Sequence, residues 1–339
     1  MIRGHMKKIL LILTGGTIAS KNTGAGLAPD AFFKDLLLEK VGGLLDFCEL
    51  DCITLLSIDS TNIHPEHWIL MAEAVEKNYS AYDGFVILHG TDTMAYTSAA
   101  LSYLIQKPGK PVVLTGSQYP LSAPISDAAG NIVDSVRFAC EEGYPGVYLV
   151  FSGFAIRGTR AKKMKSKSYA AFSSINYPPA ALIEGERILH YSQPEEGQES
   201  PEFFHELKND VFLLKLIPGM DPDILDYIGG RSRAVVFETF GVGGIPFLEK
   251  NNFLDKMKIL EDRGCVMVVA TQVMLEGSDL GVYEVGRKAM EKYHVLQAYD
   301  MTIEAVVTKL MWILGRTDDN EEIGNLFYTP VGFDLVTRI

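Results

Sequence analysis

Short apolar runs that alternate with helical patterns restrict the fold of this sequence more than any other feature. Runs of four to eight apolar residues between helical segments are typical of parallel strands joined by crossover helices. The predicted strands in the first part of the chain are Lys8–Leu13, Ile53–Ile58, Phe85–Leu88, Val112–Thr115 and Val147–Phe151. Pro65–Asn78 and Met94–Ile105 are predicted helices, with Pro65 in a first turn and Thr91 or Asp92 as a cap. These elements predict an α/β domain.

A second domain is predicted beyond Tyr191–Pro201, a polar, acidic and proline-bearing segment that interrupts the alternation and is typical of a linker. A length of 339 residues also favours two domains. The predicted strands there are Val211–Ile217, Ala234–Glu238, Val266–Ala270 and Val295–Ala298, and the helices are Pro222–Ile228, Phe253–Arg263, Tyr283–Tyr293 and Thr302–Leu314, the last capped by Thr302. We therefore predict an α/β fold with two α/β domains, each with a mostly parallel sheet flanked by helices. They occupy residues 7–190 and 211–339, joined by a linker at 191–210.

The charge of the chain limits its partners. There are 31 Lys and Arg residues against 43 Asp and Glu residues, which gives a formal net charge of −12. This acidic balance opposes the neutralisation of phosphates over a broad surface, so nucleic acid is not an expected partner. No apolar stretch approaches the roughly 18 residues of a membrane span, and no segment has the pattern of a signal peptide. A cytoplasmic protein with no membrane partner is expected.

The cysteines are too few and too scattered for a disulfide framework. They are Cys48, Cys52, Cys140 and Cys265. Cys48 and Cys52 have the spacing of one helix face, and His64 and His67 follow in an HPEH segment. This pattern meets the spacing of zinc ligands only loosely. We favour buried thiols and histidines at a helix start, and expect no metal.

Polar clusters follow four of the predicted strands. They are Thr14–Thr17, Asp59–Asn62, His89–Thr93 and Thr115–Gln118. Ligands of open α/β sheets bind outside the carboxyl ends of the strands. Turns and caps account for one or two such clusters, but four on one sheet edge indicate convergence on a ligand.

The common cofactor and nucleophile motifs are absent from these clusters. No GxxxxGK[ST], GxGxxG or GxSxG pattern occurs in the sequence. Hydroxyl groups and the Asp92 carboxylate remain, and a hydroxyl nucleophile needs an adjacent base and donors for the oxyanion. The run Arg157–Lys167 holds six cations within eleven residues. Such a run usually forms a solvated face, but a lysine in a partly dry site can serve as a base. Sequence physics leaves open which lysine does so.

Four fragments and one lysine, in a fixed order, indicate a more specific chemistry for this site. They are TGGTIAS at Thr14–Ser20, DSTN at Asp59–Asn62, HGTDTM at His89–Met94, TGSQ at Thr115–Gln118 and the lysine Lys163. Together they resemble the bacterial asparaginase/glutaminase family, and within it the cytoplasmic type I L-asparaginases. The similarity extends over nearly the whole chain, through GVGG at Gly241–Gly244, ATQ at Ala270–Gln272 and DMTIEA at Asp300–Ala305.

The resemblance implies hydrolysis of L-asparagine to L-aspartate and ammonia, with no metal and no organic cofactor. Thr14 matches the family's nucleophile, whose hydroxyl attacks the side-chain amide carbon to give an acyl-enzyme. Thr91, Asp92 and Lys163 match a hydrogen-bonded group that handles protons and positions the deacylating water. The family builds its sites between the N-terminal domain of one subunit and the C-terminal domain of a partner, so a homodimer or a homotetramer is implied.

The resemblance also implies how the substrate is held. Asp59 and Ser60 match the residues that bind its α-amino and α-carboxylate groups. Main-chain donors near Thr91 and Ser117 match the oxyanion hole, with Gly90 as a further substrate-binding position.

Each of these positions also has a purely structural interpretation. Thr14 and the two glycines after it can form a tight turn, Thr91 and Asp92 can cap a helix, and Asp59 can cap the chain before the next helix. The joint pattern favours the catalytic interpretation. His89 is predicted to be a packing histidine with satisfied ring nitrogens rather than a catalyst.

The chain departs from the family in the loop that follows TGGT. Many relatives carry a tyrosine there that helps to activate the nucleophile, whereas Leu27 occupies the aligned place here. The loop, Lys21–Pro29, is predicted to be a mobile lid with Gly24 and Gly26 as hinges. Activation of Thr14 must therefore depend on a tyrosine elsewhere or on the Thr91–Lys163 pair acting through water.

Three other functions stay open. A glutaminase-asparaginase is one, because a single methylene is discriminated by only about 1–3 kcal/mol in an apolar pocket. The glutaminase half of a tRNA amidotransferase is another, although it usually has an additional N-terminal domain for which the residues before Lys7 leave no room. A non-catalytic amino-acid sensor is the third, suggested by the missing tyrosine.

Overall fold

The chain forms two compact units, Met1–His205 and Glu206–Ile339. The computed structural model describes residues 6–16, 18, 20–22, 27–29, 33–41, 43–44, 47–194 and 200–336. Each unit has a sheet that is mostly parallel, with helices between its strands. The predicted α/β class is confirmed. The division between the units lies within the segment 191–210 that was predicted to be a linker.

The first unit holds most of the strands. They are β1 Lys7–Gly15, β2 Ser20–Asn22, β3 Leu27–Pro29, β4 Cys48–Ile58, β5 Gly84–Leu88, β6 Ile105–Gln106, β7 Pro111–Thr115, β8 Gly146–Phe151, β9 Phe154–Arg157, β10 Ala161–Lys163, β11 Phe172–Ser174, β12 Ala181–Glu184, β13 Arg187–His190 and β14 Glu202–Phe203. Its helices are α1 Phe33–Val41, α2 Pro65–Asn78, α3 Met94–Leu104 and α4 Ala128–Ala139, with 3-10 turns at Ser60–Asn62 and Tyr79–Ala81.

An eight-stranded sheet organises this unit, in the order β13-β12-β9-β8-β7-β5-β1-β4. The strands from β8 to β4 are parallel, and the last three at the other edge are antiparallel. Strand β1 lies between β5 and β4, with Leu13 opposite both Leu88 and Thr54. The four strands that precede the polar clusters are therefore neighbours, and their carboxyl ends share one edge of the sheet.

Apolar side chains of these strands form the core of the first unit. Ile9 and Val86 on the strands pack in one cluster with Leu37 of α1 and with Ile132 and Val136 of α4. Helix α3 is buried on nearly all sides, and its buried hydroxyl groups, on Thr97, Ser98 and Ser102, make hydrogen bonds. Helix α2 begins at Pro65, as predicted.

The second unit contains a four-stranded parallel sheet in the order β15-β16-β17-β18. The strands are β15 Val211–Lys215, β16 Ala234–Thr239, β17 Val266–Thr271 and β18 Val295–Gln297. The helices are α5 Ile224–Ile228, α6 Phe253–Lys256, α7 Lys258–Asp262, α8 Glu284–Lys292, α9 Ile303–Leu314 and α10 Asn320–Tyr328, with a 3-10 turn at Glu249–Asn251. Its core brings together Leu214, Phe237, Met267, Leu260 and Ala289. Thr302 caps α9 as predicted, because its hydroxyl accepts a hydrogen bond from the N–H of Ala305 at 3.1 Å.

Three local predictions were wrong. Helix α3 begins after Thr93, which makes no side-chain cap, because the side chains of Thr91 and Asp92 bind Lys163 instead. The single helix predicted at Phe253–Arg263 is divided at Met257 into α6 and α7. Cys48 and Cys52 lie on strand β4 rather than on a helix. Over the described ranges, every helix is too short or too polar to cross a lipid bilayer.

Candidate active site

The loops that follow β1, β4 and β5 lie in direct backbone contact. The N–H of Gly16 donates to the carbonyl of Ile58 at 3.0 Å. A Cβ atom added to Gly16 would lie 2.4 Å from the Cα of Gly90, and one added to Gly90 would lie 2.5 Å from Oγ of Ser60. The hydroxyl of Thr93 donates to the carbonyl of Ser60 at 2.8 Å. Such close approaches require glycine, so three of the predicted polar clusters meet.

The loop after β7 joins the same group. The N–H of His89 donates to the carbonyl of Thr115 at 2.8 Å. A Cβ atom added to Gly116 would lie 2.3 Å from the carbonyl oxygen of His89. The four clusters thus form one continuous surface at the sheet edge, as the positions of the strands predict.

Thr14 lies near the end of β1 and faces the end of β5. Its side chain is buried, with 2% of the residue exposed, and its hydroxyl donates to the carbonyl of Leu88 at 2.9 Å. Leu88 is the last residue of β5 and precedes the loop that carries Thr91. The hydroxyl proton is therefore directed at a backbone carbonyl, and the oxygen keeps its lone pairs for other contacts.

Thr91, Asp92 and Lys163 form a hydrogen-bonded group, although Lys163 is 72 residues from Thr91 in the chain. Nζ of Lys163 donates to the hydroxyl oxygen of Thr91 at 2.8 Å and to Oδ1 of Asp92 at 2.6 Å. The Lys163 side chain is 18% exposed, whereas the Asp92 side chain is 60% exposed. Lys163, one of the lysines of the basic run, thus lies at the sheet edge with its side chain mostly shielded from solvent.

Strand pairing explains why Lys163 occupies this place. It is the last residue of β10 and lies opposite Phe172 of β11 in an antiparallel pair. The N–H of Met164 then donates to the carbonyl of Ala171 at 2.7 Å, which closes the turn. Backbone pairing therefore places the lysine where its side chain reaches Thr91 and Asp92.

Gln118 is a further contact of Thr91, and no role was predicted for it. Its Oε1 accepts the hydroxyl proton of Thr91 at 3.2 Å, and its Nε2 donates to the carbonyl of Ser168 at 3.1 Å. The Thr91 hydroxyl therefore donates to Gln118 and accepts from Lys163. Gln118 lies in the TGSQ fragment, which is the signal that marked its neighbourhood.

Asp59 and Ser60 follow β4 at the same edge. Oδ1 of Asp59 accepts hydrogen bonds from the N–H and the hydroxyl of Thr61, both at 2.8 Å, so Asp59 caps the 3-10 turn that follows it. Its side chain is exposed, whereas Ser60 is buried. The structural interpretation of Asp59 as a cap is correct, although the cap serves the 3-10 turn rather than α2. The carboxylate still faces solvent beside the polar clusters.

His89 is a packing residue, as predicted. Its Nδ1 lies 2.7 Å from the carbonyl of Gly90, and its Nε2 lies 3.0 Å from the hydroxyl of Thr97. That hydroxyl also accepts from Nε1 of Trp68 at 3.0 Å. Complete burial lowers the pKa of His89 to about 4, despite the opposing effect of the Gly90 carbonyl. The imidazole is therefore neutral at physiological pH and links β5 to α2 and α3.

The zinc pattern does not assemble. Cys48 is buried and Cys52 is half-buried on β4, whereas the N–H of His64 donates to Nδ1 of His67 at 2.9 Å at the start of α2. Among the residues that the structure describes, no three His, Cys, Asp or Glu side chains are grouped to hold a metal ion. Both histidines lie at a helix start, as the alternative interpretation predicts.

The predicted lid is described only in part. Residues 23–26, which include both proposed hinge glycines, lie outside the described residues. On either side of them, the backbones of β2 and β3 pair antiparallel, with Asn22 opposite Leu27.

This geometry suits acyl transfer. A buried hydroxyl at Thr14, a second hydroxyl bonded to a lysine at Thr91, and several backbone N–H groups of glycine-rich loops lie at one sheet edge. Groups of these kinds are the ones that amide hydrolysis by a hydroxyl requires: a nucleophile, a partner for proton transfer and donors for the oxyanion.

Comparisons with known proteins point to the same chemistry. Two family models match the chain, "Asparaginase, N-terminal" at residues 8–196 and "Glutaminase/Asparaginase C-terminal domain" at residues 210–327. The chain is 42% identical to the L-asparaginase of Thermococcus kodakarensis over 97% of this chain and 99% of that protein. It is 34% identical to one of the subunits of the glutamyl-tRNA(Gln) amidotransferase of Pyrococcus abyssi, over 96% of this chain and 76% of that relative.

Solved structures agree. The thermostable L-asparaginase of Thermococcus kodakarensis superposes with a TM-score of 0.91 at 40% identity, covering 98% of this chain and all of that one. The L-asparaginase I of Vibrio cholerae superposes with a TM-score of 0.85 at 29% identity, with the same coverage. These likenesses extend over both units.

Proposed function

Because the chain belongs to the asparaginase family and is an L-asparaginase, we propose that it hydrolyses L-asparagine through an ester on Thr14. The observation that carries this proposal is the contact of Lys163 with both Thr91 and Asp92, at 2.8 and 2.6 Å, in the loop after β5, which pairs with the strand that contains Thr14. Lys163 comes from a distant part of the sequence and meets Thr91 and Asp92 there, around the Thr91 hydroxyl. A purely structural strand end has no need of that combination.

In the first half of the reaction, Oγ1 of Thr14 attacks the side-chain amide carbon of the substrate. The carbonyl oxygen becomes an oxyanion, backbone N–H groups of the loops after β5 and β7 stabilise it, and the C–N bond then breaks to release ammonia. The proton lost by Thr14 moves to the leaving nitrogen. In place of the lid tyrosine of relatives, the Thr91–Lys163 pair provides this transfer, through water where distance requires it.

In the second half, water attacks the ester and L-aspartate leaves. Thr91 is suited to orient that water because its contacts with Lys163 and Gln118 hold the hydroxyl in place, and its oxygen keeps one lone pair that can accept a proton of the water. Asp92 balances the charge of Lys163 from the solvent side. The exposed carboxylate of Asp59 attracts the α-ammonium group of the substrate, and the Ser60 hydroxyl donates a hydrogen bond to its α-carboxylate.

The nucleophile is tested with a matched pair of threonine variants. Thr14→Ala is expected to abolish ammonia release from L-asparagine and to leave the protein folded. Thr115→Ala is the control: its buried hydroxyl also donates to a carbonyl of a neighbouring strand, that of Val150 at 2.8 Å, and it has no proposed role in the reaction. Both variants lose one buried hydrogen bond, and only the first is expected to lose turnover. Near wild-type turnover by Thr14→Ala would exclude Thr14 as the nucleophile.

The same assay separates the remaining functions. Steady ammonia release from L-asparagine contradicts a non-catalytic sensor, and comparison with free L-glutamine measures the preference between the two amides. We propose that asparagine is the preferred substrate, because the chain is more similar to the L-asparaginase of Thermococcus kodakarensis, at 42% identity, than to the amidotransferase relative, at 34%. A higher kcat/KM for glutamine would contradict this preference.

We further propose a cytoplasmic homo-oligomer, a homodimer or a homotetramer. Its four cysteines are free thiols, which suits a reducing compartment. The second unit exposes large apolar side chains in three loops, at Phe247 and Leu248, at Val273 to Leu275, and at Val282 and Tyr283. Exposed apolar groups of this size are typical of protein contacts. Light scattering after size-exclusion chromatography measures the state, and a monomer at micromolar concentration would contradict the proposal.

A further inference from the structure

Asn131 of helix α4 fixes the peptide that joins Gly116 to Ser117. Its Nδ2 donates to the carbonyl of Gly116 at 2.9 Å, and its Oδ1 accepts the N–H of Ser152 at 2.9 Å. Only 3% of the residue is exposed, so water does not compete for these bonds. The C=O and N–H of a trans peptide point in opposite directions. Because Asn131 holds the Gly116 oxygen, it directs the N–H of Ser117 away from α4.

Asp127, which directly precedes α4, fixes the peptides that follow. Its carboxylate accepts the N–H of Gln118 at 2.9 Å and the N–H of Tyr119 at 3.1 Å. Nδ2 of Asn131 also lies 3.2 Å from Oδ2 of Asp127, so the two side chains support each other. The peptides on both sides of Ser117 are therefore held by one end of one helix.

The N–H of Ser117 itself makes no hydrogen bond to any residue in the described part of the chain. Ser117 is 1% exposed. Buried N–H groups without an acceptor are rare in folded proteins and indicate a place where another group binds. This N–H lies in the loop beside His89 and Thr91, on the surface where the strand ends converge.

We propose that Asn131 and Asp127 are positioning residues that hold the Ser117 N–H in the direction of the substrate's amide oxygen. The inference rests on the proposed function, since it needs an oxyanion to form at this edge. Neither residue touches the substrate; each acts through the backbone of the loop. Donors held in advance at the site of a developing charge need no reorganisation during the reaction, and this is where most of their catalytic effect originates.

The central test compares Asn131→Ala with Ser135→Ala. Loss of a single oxyanion donor costs about 10²–10³ in kcat, so a donor that is misdirected rather than lost is expected to cost about tenfold to a hundredfold. KM for L-asparagine is expected to stay within about threefold, because the effect arises in the transition state. Ser135 is the matched control: it is buried on the same helix and its hydroxyl donates within the helix, to the carbonyl of Asn131 at 2.6 Å. Ser135→Ala is expected to lower the unfolding temperature while kcat is unchanged.

Asp127 provides a second and independent variant. Asp127→Asn keeps one oxygen for the loop N–H groups and is expected to retain more of kcat than Asp127→Ala. The Asn131→Ala/Asp127→Ala double variant is expected to lose less than the product of the single losses, because both act through the same N–H. A structural role alone predicts losses that follow the unfolding temperature, with no such ordering.

Several results would overturn the inference. A kcat for Asn131→Ala within threefold of wild type, or a loss confined to KM, contradicts the role of Asn131 in positioning the donor. If Asn131→Ala does not fold, equal kcat values for Asp127→Asn and Asp127→Ala contradict it instead. Wild-type protein that releases no ammonia from L-asparagine overturns the proposed function, which is a different outcome from an active wild type with active variants.

Discussion

Replacement of Gly16 by alanine tests whether the contact between the β1 and β5 loops sets the geometry of the reaction. The added Cβ atom would lie 2.4 Å from both Cα and N of Gly90. Ordinary contact between carbon atoms is about 3.5 Å, so the two loops must separate by about 1 Å. Thr14 lies two residues before Gly16, and Thr91 follows Gly90 directly, so this displacement separates the proposed nucleophile from the proposed proton-transfer pair. An error of about 1 Å can cost about a hundredfold in rate, and that is the expected loss in kcat.

A second glycine separates this displacement from backbone strain. Gly16 has φ of +80°, a left-handed conformation that costs an alanine roughly 1–2 kcal/mol in any context. Gly185, in the turn between β12 and β13, has φ of +60°, and a Cβ atom added there would meet nothing within 4 Å. Gly185→Ala therefore carries the same strain without the collision. We expect it to lose stability and to keep kcat.

The assay is steady-state ammonia release from L-asparagine by both variants, with thermal unfolding of each followed in parallel. The expected pattern is a kcat for Gly16→Ala about a hundredfold below that of Gly185→Ala, with both unfolding temperatures below wild type. Equal kcat values for the two variants would refute the reasoning, because the loops would then tolerate the separation without effect on the reaction.

Three further predictions concern stability. Lys309 and Asp334 form a fully buried ion pair at 2.7 Å, so Lys309→Met should leave a buried carboxylate without this cation and lower the free energy of unfolding, measured by denaturant titration, by about 3–5 kcal/mol. Burial raises the pKa of Asp134 to about 6, above its unfolded value of 3.8, so ionisation destabilises the fold as pH rises through about 6. Asp134→Asn should therefore raise the unfolding temperature at pH 7 and have little effect below pH 4, and equal effects at both values would contradict this. The lowered pKa of His89 makes stability depend on pH in the opposite direction. The stability that the neutral His89 contributes is complete above pH 6.5, and about 3 kcal/mol of it is lost as pH falls toward 4. His89→Asn should remove this dependence of the free energy of unfolding on pH.

The fold could be predicted from sequence where burial alone decides the pattern. Strands β5, β7 and β8 are apolar runs inside a parallel sheet, and their predicted bounds differ from the observed ones by one residue at the amino end. Helix α2 was predicted with its correct bounds because Pro65 marks its start. The first half of β4 was missed, since this edge strand alternates exposed residues with residues that are, apart from the buried Cys48, half-buried, and Cys48 and Cys52 have a spacing that also suits a helix. A strand that is buried on both faces gives an apolar run that can be recognised in the sequence, whereas a strand that is buried on one face does not.

Helix α4 was missed for a different physical reason. Its first turns contain Gly130 and Asn131, which have poor helix propensity, and Gly130 alone costs about 1 kcal/mol relative to alanine. Tertiary contacts overcome this cost, because Ile132 and Val136 are completely buried in the core. Of the two residues that weaken the helix signal, Asn131 is the one whose contacts depend on the rest of the fold.

The site shows the same division. The order of the polar clusters placed Thr14, Thr91 and Ser117 at one sheet edge, because parallel strands must present their carboxyl ends together. The choice of Lys163 among the cations of its run required the resemblance, since it depends on the three-residue pairing of β10 with β11. The contact of Gln118 with Thr91 has no local signal, because it depends on where the β7 loop turns.

The contacts of Asn131 show why stability and chemistry are joined in this helix. A buried asparagine without partners would cost about 1–3 kcal/mol, and this one is satisfied because Gly116 and Ser152 present their backbone groups to it and Asp127 presents its carboxylate. The loop in turn keeps its conformation because Asn131 holds it. Neither arrangement is stable without the other, so a sequence change that frees the loop also leaves the asparagine unsatisfied. The packing of α4 therefore keeps the Ser117 peptide in one orientation. A donor held in this way acts on the charge that develops in the transition state, so removal of Asn131 is expected to lower kcat rather than to weaken substrate binding.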